Sequence, residues 1–249
     1  MKLKNEKELT GSKIFIILKK KKILAATMGI FAGVAAFLFL GNKLSFGGFP
    51  TLNRAAKDSK EVIVIDPGHG GFDPGKVGVN NSLEKDINLA IAKKVESCLS
   101  DSGYTVYMTR TEDVALCSGN EKSKKLADMQ NRVKLIEDAG PALTVSIHQN
   151  SYSAGTKGAQ VFYYTKSESG KKLAHIMQNT IKELVQSDNH RVEKPNDSYY
   201  MLRKVSGPLV IVECGFLSNP EEEALLKDES YQQKMAAAIC EGVENFLYK

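Results

Sequence analysis

The chain has 249 residues, 42% of them hydrophobic and 25% charged, which is ordinary for a globular protein of one large domain or two small ones. Residues 1–60 hold 12 Lys or Arg against 3 Asp or Glu, a surplus of +9, so the overall charge of +5 leaves −4 for residues 61–249. The folded part is therefore mildly acidic, which excludes a nucleic-acid partner that would need positive charge on the folded surface.

The amino terminus accounts for the basic surplus. Lys19 to Lys22 form a tetralysine block directly before 23–40, an 18-residue run whose single polar side chain is Thr27. As a helix rising 1.5 Å per residue the run is about 27 Å long, close to the roughly 30 Å of a bilayer core. Lysines on its amino-terminal side hold that end in the cytoplasm and send the chain beyond Lys43 outside. A cleaved signal peptide is the competing reading, but the run is longer than a signal core and no Ala-x-Ala site follows Leu40. The expected organisation is a basic cytoplasmic segment at 1–22, a transmembrane anchor or uncleaved signal at 23–40, a polar linker at 41–60 and a catalytic domain at 61–249.

From Val62 the pattern alternates strands and helices. Val62, Ile63, Val64 and Ile65 read as a strand buried on both faces, stopped by Asp66, Pro67 and Gly68. Apolar residues at Ile87, Ile91, Val95, Cys98 and Leu99 carry helical spacing over 83–100. A strand follows at 104–108, a polar loop to about 125, and a helix through 136. Strands at 143–147 and 160–164 precede a long helix at 170–186, and a last strand at 209–212 leads into one or two closing helices over 221–247. Strands separated by helices predict one α/β domain with a mostly parallel central sheet covered by helices on both faces.

The chemical groups fall at matching places on that scaffold. His69 follows the first strand, His148 ends Thr-Val-Ser-Ile-His, Glu213 ends Leu-Val-Ile-Val-Glu, and Glu84 opens the first helix. If the three strands are parallel neighbours, their carboxyl ends bring His69, His148 and Glu213 to one edge, with Glu84 folded over it. Two imidazoles, one carboxylate and an open position form the catalytic-zinc pattern, and a second carboxylate nearby is what a zinc-bound water needs as its base. Each residue taken alone has a plainer role. Glu84, three residues after Asn81, fits a helix cap, and His148 fits a core histidine bonded to backbone. Glu213 resists such a role, because a carboxylate in so apolar a strand is costly if buried unpaired. His175 and His190 fall in a helix and a polar turn and are expected at the surface. Asp66 is either a partner that orients the His69 ring or a turn former.

The segments Ile-Asp-Pro-Gly-His-Gly-Gly-Phe-Asp-Pro-Gly, Leu-Glu-Lys-Asp-Ile-Asn-Leu-Ala-Ile-Ala, Val-Ser-Ile-His-Gln-Asn and Val-Glu-Cys-Gly-Phe-Leu-Ser-Asn-Pro-Glu-Glu resemble the zinc-dependent N-acetylmuramoyl-L-alanine amidases of the third amidase family. The resemblance runs from Val62 to Leu247. It implies that His69, Glu84 and His148 bind one zinc ion and that Glu213 is the catalytic carboxylate. It implies peptidoglycan, muramic acid bearing a stem peptide, as substrate. The single anchor, the absence of wall-binding repeats and the Tyr-Tyr-Met-Leu segment resemble the spore-cortex, germination-specific branch, whose members strip peptides so that muramic-δ-lactam can form. That implies a membrane-anchored protein with its catalytic domain outside the cytoplasm, facing the forespore cortex space, and leaves room for an activator protein. A departure lies at Glu137, near where many relatives carry Asn. Two alternatives use the same residues: a peptidoglycan-binding module without catalysis, and a zinc peptidase acting on the stem peptide.

The four cysteines lack a Cys-x-x-Cys pair and read as free thiols, with Cys98 and Cys240 on apolar helix faces and Cys214 pointing away from Glu213. Tyr199, Tyr200 and Arg203 are expected either to line a groove for glycan and peptide or to pack as aromatics.

Overall fold

The computed structural model describes residues 61–118 and 123–248. The cytoplasmic segment, anchor and linker expected at 1–22, 23–40 and 41–60 lie outside the described residues. Among the described residues no helix is long and apolar enough to cross a membrane.

The chain runs through β1 (Val62–Pro67), α1 (Glu84–Asp101), β2 (Thr105–Met108), α2 (Lys124–Ala139), β3 (Leu143–Asn150), β4 (Gln160–Tyr163), α3 (Glu168–Leu184), β5 (Lys194–Pro195), α4 (Tyr200–Lys204), β6 (Leu209–Phe216), α5 (Pro220–Lys227) and α6 (Glu229–Tyr248). The strands form one sheet in the order β2-β1-β3-β6-β4-β5. β1 pairs in parallel with β2 and β3, and β3 in parallel with β6, whereas β4 runs antiparallel to β6. The α/β domain with a mostly parallel sheet is therefore present, and the three strands expected to carry the site are adjacent and parallel.

Two of these strands run further than the apolar pattern predicts. β3 continues from Ile147 to Asn150 and β6 from Val212 to Phe216, because each supplies the other's backbone partners, with His148 opposite Glu213. His148 and Glu213 thus sit inside strands. Successive side chains alternate between faces. Ile63, Ile65, Val145, Ile147, Val210, Val212 and Cys214 pack with the apolar stripes of α1, α3 and α6 in the larger core. Val64, Leu209 and Ile211 face the other way, against Ile136 of α2 and Met201 and Leu202 of α4 in a smaller one. Helices cover both faces, as expected.

Helix ends follow local chemistry. Ser167 accepts a hydrogen bond from Gly170 N at 3.0 Å, which starts α3 at Glu168 instead of Gly170. Asn219 accepts from Glu221 N and Glu222 N, and Pro220 occupies the first turn of α5. The closing segment is two helices because Asp228 interrupts it with extended backbone.

The candidate active site

The site lies on the face of the sheet shared by α2 and α4, over β1, β3 and β6. Asp66, Ser146, His148 and Glu213 occupy the alternate positions that point to this face, and Asp66 stands beside Ser146 as His148 stands beside Glu213. His69 adopts φ +61, a left-handed conformation uncommon outside glycine, which turns the chain sharply after β1. Gly68 must lack a side chain: a Cβ there would lie 2.2 Å from Cε1 of His148. Gly75 has φ +70, and a Cβ on it would meet Oε2 of Glu84 at 2.5 Å.

These constraints bring His69, Glu84 and His148 together. Their ligand atoms lie within 4.8 Å of one another, and the two imidazoles meet edge-on with centroids 5.0 Å apart. Oε1 of Glu84 is 3.1 Å from Nε2 of His69 and 2.9 Å from Nδ1 of His148. Glu84 is 2% exposed. Its Oε2 accepts from Lys76 N at 2.7 Å, and Oε1 accepts from Gln149 N at 3.2 Å. Glu84 is not a helix cap: α1 starts after Leu83 with no side-chain capping bond. Burial raises its pKa, but hydrogen bonds from His148 and His69 outweigh that and hold it well below the usual carboxylate range. The same contact raises the pKa of His148 against the lowering effect of burial.

The donor set fits a metal ion. Nδ1 of His69 donates to Oδ2 of Asp73 at 2.8 Å. With Nδ1 directed at Asp73, Nε2 is the ligand atom that His69 turns toward Glu84 and His148, and two imidazole nitrogens with one carboxylate oxygen are a set that holds a divalent cation. Asp73, not Asp66, is the carboxylate that orients His69. It also accepts from Gly75 N at 3.2 Å and pairs with Lys125 at 3.1 Å. Asp66 lies within β1 and accepts from Ser146 Oγ at 2.6 Å, Thr109 Oγ1 at 2.7 Å and Arg132 at 2.8 Å. Burial raises its pKa, but Arg132 and the two hydroxyls draw it down to about 2.

Two guanidinium groups fix the strained turn from beneath. Arg132, 3% exposed, donates to the carbonyl oxygens of Pro67 at 2.8 Å and His69 at 2.5 Å. Arg110 donates to those of Pro67 and Gly68, each at 3.0 Å. From α1, Asn88 donates to Gly68 O at 3.1 Å and accepts from Gln149 at 3.2 Å. Sequence reasoning passes over Asp73, Arg110, Arg132, Asn88 and Gln149. Thr109 and Arg110 had a signal, since they directly follow a strand parallel to β1 and so reach the same edge. Arg132 had none beyond its i,i+4 spacing from Asp128.

Glu213 stands in the wall of the same cavity, a space of about 300 Å³ also lined by His69, Glu84, His148, Tyr199 and Met201. It is 6% exposed, and its Oε2 is buried without a hydrogen-bond partner. Burial pushes its pKa up to about 7, the range in which a carboxylate both takes and returns a proton at neutral pH. The four residues expected to carry chemistry are thus in one place.

A family model described as N-acetylmuramoyl-L-alanine amidase matches residues 63–245. The chain belongs to that amidase family. It is 37% identical over 193 residues to the germination-specific N-acetylmuramoyl-L-alanine amidase of Bacillus subtilis, an alignment covering 76% of this chain and 81% of the relative. The CwlD amidase of Clostridioides difficile, solved in complex with the GerS lipoprotein, superposes with TM-score 0.73 at 38% identity, over 76% of this chain and 98% of that one. The amidase AmiC2 of Nostoc punctiforme superposes with TM-score 0.67 at 34% identity, over 78% of this chain and all of that one. The chain is an N-acetylmuramoyl-L-alanine amidase, with peptidoglycan as its substrate.

The remaining expectations separate cleanly in this amidase. His175 is exposed and pairs with Glu193 at 3.0 Å, and His190 is exposed, so neither belongs to the site. Tyr199 and Tyr200 line the cavity, whereas Arg203 is exposed and borders a different depression with Lys166 and Ser206. Glu137 lies away from the centre and accepts from Ser206 N at 2.7 Å. All four cysteines are free thiols; Cys214 and Cys240 are buried, Cys98 and Cys117 partly so, and Cys214 packs into the larger core opposite Glu213.

Proposed function

We propose that this amidase uses one zinc ion, held by His69, Glu84 and His148, to hydrolyse the amide between the lactyl group of N-acetylmuramic acid and L-alanine of the stem peptide. The reaction is proposed to act on spore cortex as a step toward muramic-δ-lactam. The observation that carries the reading is the convergence of three ligand atoms beside a buried Glu213 oxygen that lacks a partner. Zinc bound there supplies Lewis acidity and lowers the pKa of water toward neutrality.

The protein's own groups do the rest. Asp73 fixes the His69 tautomer by accepting a hydrogen bond from its Nδ1–H, which leaves Nε2 to ligate. Lys76 N and Gln149 N hold the Glu84 carboxylate in register with both rings. Glu213 accepts a proton from the attacking water and returns it to the departing amine of L-alanine.

We further propose that 23–40 anchors the chain in a membrane, joined by a linker at 41–60 to the catalytic domain, with a basic cytoplasmic segment at 1–22 and the catalytic domain outside the cytoplasm facing the forespore cortex space. The tetralysine block and apolar run support the anchor, and similarity to the germination-specific relative supports the compartment. The lipoprotein in the CwlD complex supports a partner protein for this chain as well.

The test is product analysis. Purified full-length protein with zinc, given cortex-type peptidoglycan, should release stem peptides beginning with L-alanine and leave muramic acid with a free lactyl carboxyl, read by mass spectrometry. Residues left on the lactyl group would identify a peptidase, and no release would identify a binding module.

A further inference from the structure

We infer that the hydroxyl of Tyr199 is a second catalytic group, donating a hydrogen bond to the oxygen of the scissile carbonyl as negative charge develops on it. The inference rests on the proposed reaction, in which Glu213 is the base. The Tyr199 hydroxyl lies 3.5 Å from Oε1 of Glu213. That is well beyond the roughly 2.7–2.8 Å of a settled O–H···O bond, so the hydroxyl donates to Glu213 only weakly and can turn to a better-placed acceptor. Oε2 of the same carboxylate has no partner. The two groups thus stand side by side in the cavity wall, one ready to take a proton from water and the other ready to give a hydrogen bond. A carbonyl oxygen arriving on the cavity side of the hydroxyl offers it a shorter bond than the long one to Glu213.

The ring is built to stay there. Asn196 Oδ1 accepts from Ser198 N at 2.8 Å and from Tyr199 N at 2.9 Å, closing a turn that ends at Tyr199. That turn is tied to β4 through Asn196 N, which donates to Tyr163 O at 2.8 Å. Phe162 of β4 meets the Tyr199 ring edge-on with centroids 5.6 Å apart. A donor whose ring and backbone are both held costs little reorganisation when charge appears, which is the condition for effective stabilisation of an oxyanion. Burial and the charge of Glu213 push the Tyr199 pKa up to about 12, so the proton stays on the hydroxyl throughout neutral pH.

The step balances without a new reagent. Water gives one proton to Glu213 as its oxygen bonds to the carbonyl carbon, and the carbonyl π pair moves onto the oxygen that Tyr199 faces. The C–N bond then breaks, the pair returns to form the carboxyl group, and nitrogen takes the proton from Glu213. Tyr199 lends a hydrogen bond and keeps its proton.

Tyr199→Phe tests this directly, because it removes the hydroxyl and keeps the ring against Phe162. On a soluble muropeptide, with full-length zinc-loaded protein, kcat should fall about 100-fold. KM, zinc content and melting temperature should match the wild type, and the pH–rate profile should keep its shape. An unchanged kcat would overturn the inference and leave Tyr199 as packing. A shifted acid limb with the rate recovered at higher pH would also overturn it, since the hydroxyl would then act through Glu213. Failure of the underlying reaction is distinguishable, because the wild type itself would release no stem peptide.

Discussion

On β1, β3 and β6 the side chains facing α1, α3 and α6 include Ile63, Ile65, Val145, Ile147, Val210 and Val212, while alternate positions on the same strands present Asp66, Ser146, His148 and Glu213 to α2 and α4. Adjacent residues of one strand therefore serve opposite ends. Each buried aliphatic side chain on the first face stabilises the fold by about 1.5–3 kcal/mol. On the second face a carboxylate without a partner destabilises by several kcal/mol. The site is thus held by its hydrogen bonds and by the packing on the far side of the sheet, not by its own hydrophobicity. Changes on the apolar face should therefore cost stability and spare metal binding, whereas loss of a group that orients a proposed ligand should weaken metal binding at little cost to the fold.

The largest effect is expected from Glu213→Gln. Hydrolysis of muropeptide should drop about 10³-fold as the proton acceptor is lost, while zinc measured by atomic absorption stays at one per chain. Loss of zinc instead would show that Glu213 and Glu84 exchange roles. The same substitution should stabilise the metal-free protein at pH 8. Because the folded-state pKa is raised to about 7 from 4.5, the folded chain holds its proton longer than the unfolded one, and stability declines between those values as pH rises. A neutral Gln removes that decline, a gain of about 3 kcal/mol or less in urea unfolding. No gain would mean that the buried carboxylate has found a partner.

A pair of substitutions then divides the faces. Ile147→Ala, at a fully buried position, should cost about 2–5 kcal/mol in urea unfolding and leave the zinc dissociation constant of the folded protein unchanged. Asp73→Ala should do little to stability but weaken zinc about 10–100-fold, by freeing the His69 ring. Equal zinc affinity in both variants would break the division.

How much of this was legible depended on whether the decisive contact was local. The run Leu-Val-Ile-Val-Glu reveals a buried strand and, by its period of two, places Cys214 and Glu213 on opposite faces. Parallel strands separated by helices make neighbours of His69, His148 and Glu213, so the site's composition could be read before its geometry. Asp-Pro-Gly, however, occurs twice, at Asp66 and at Asp73. Nothing in the tripeptide says that the first is embedded in β1 beneath Arg132 or that the second folds back beside His69 through the pairing of Gly70 with Asp73. The antiparallel entry of β4 and the continuation of β3 and β6 through polar residues were equally hidden, because both arise from pairing between distant segments. Arg132 was illegible for the same reason, its partners being Asp66 and the backbone of the His69 turn, more than sixty residues away.

That buried Asp66 and Arg132 pair supplies the smallest and most specific prediction. With its pKa drawn down to about 2 from 3.8, Asp66 contributes about 2 kcal/mol of stability above pH 4. The sign follows from the lowered value: the unfolded chain binds the proton first, so the contribution is lost as pH falls from about 4 through 2. Ser146→Ala removes one of the bonds that hold the ionised form, raising the Asp66 pKa and shrinking this contribution by about 1 kcal/mol. Metal-free wild type and Ser146→Ala should therefore differ in urea stability at pH 6 and converge near pH 2. A difference that persists unchanged into acid would mean that Ser146 acts by packing alone, and that charge on the polar face is not what secures the turn carrying His69.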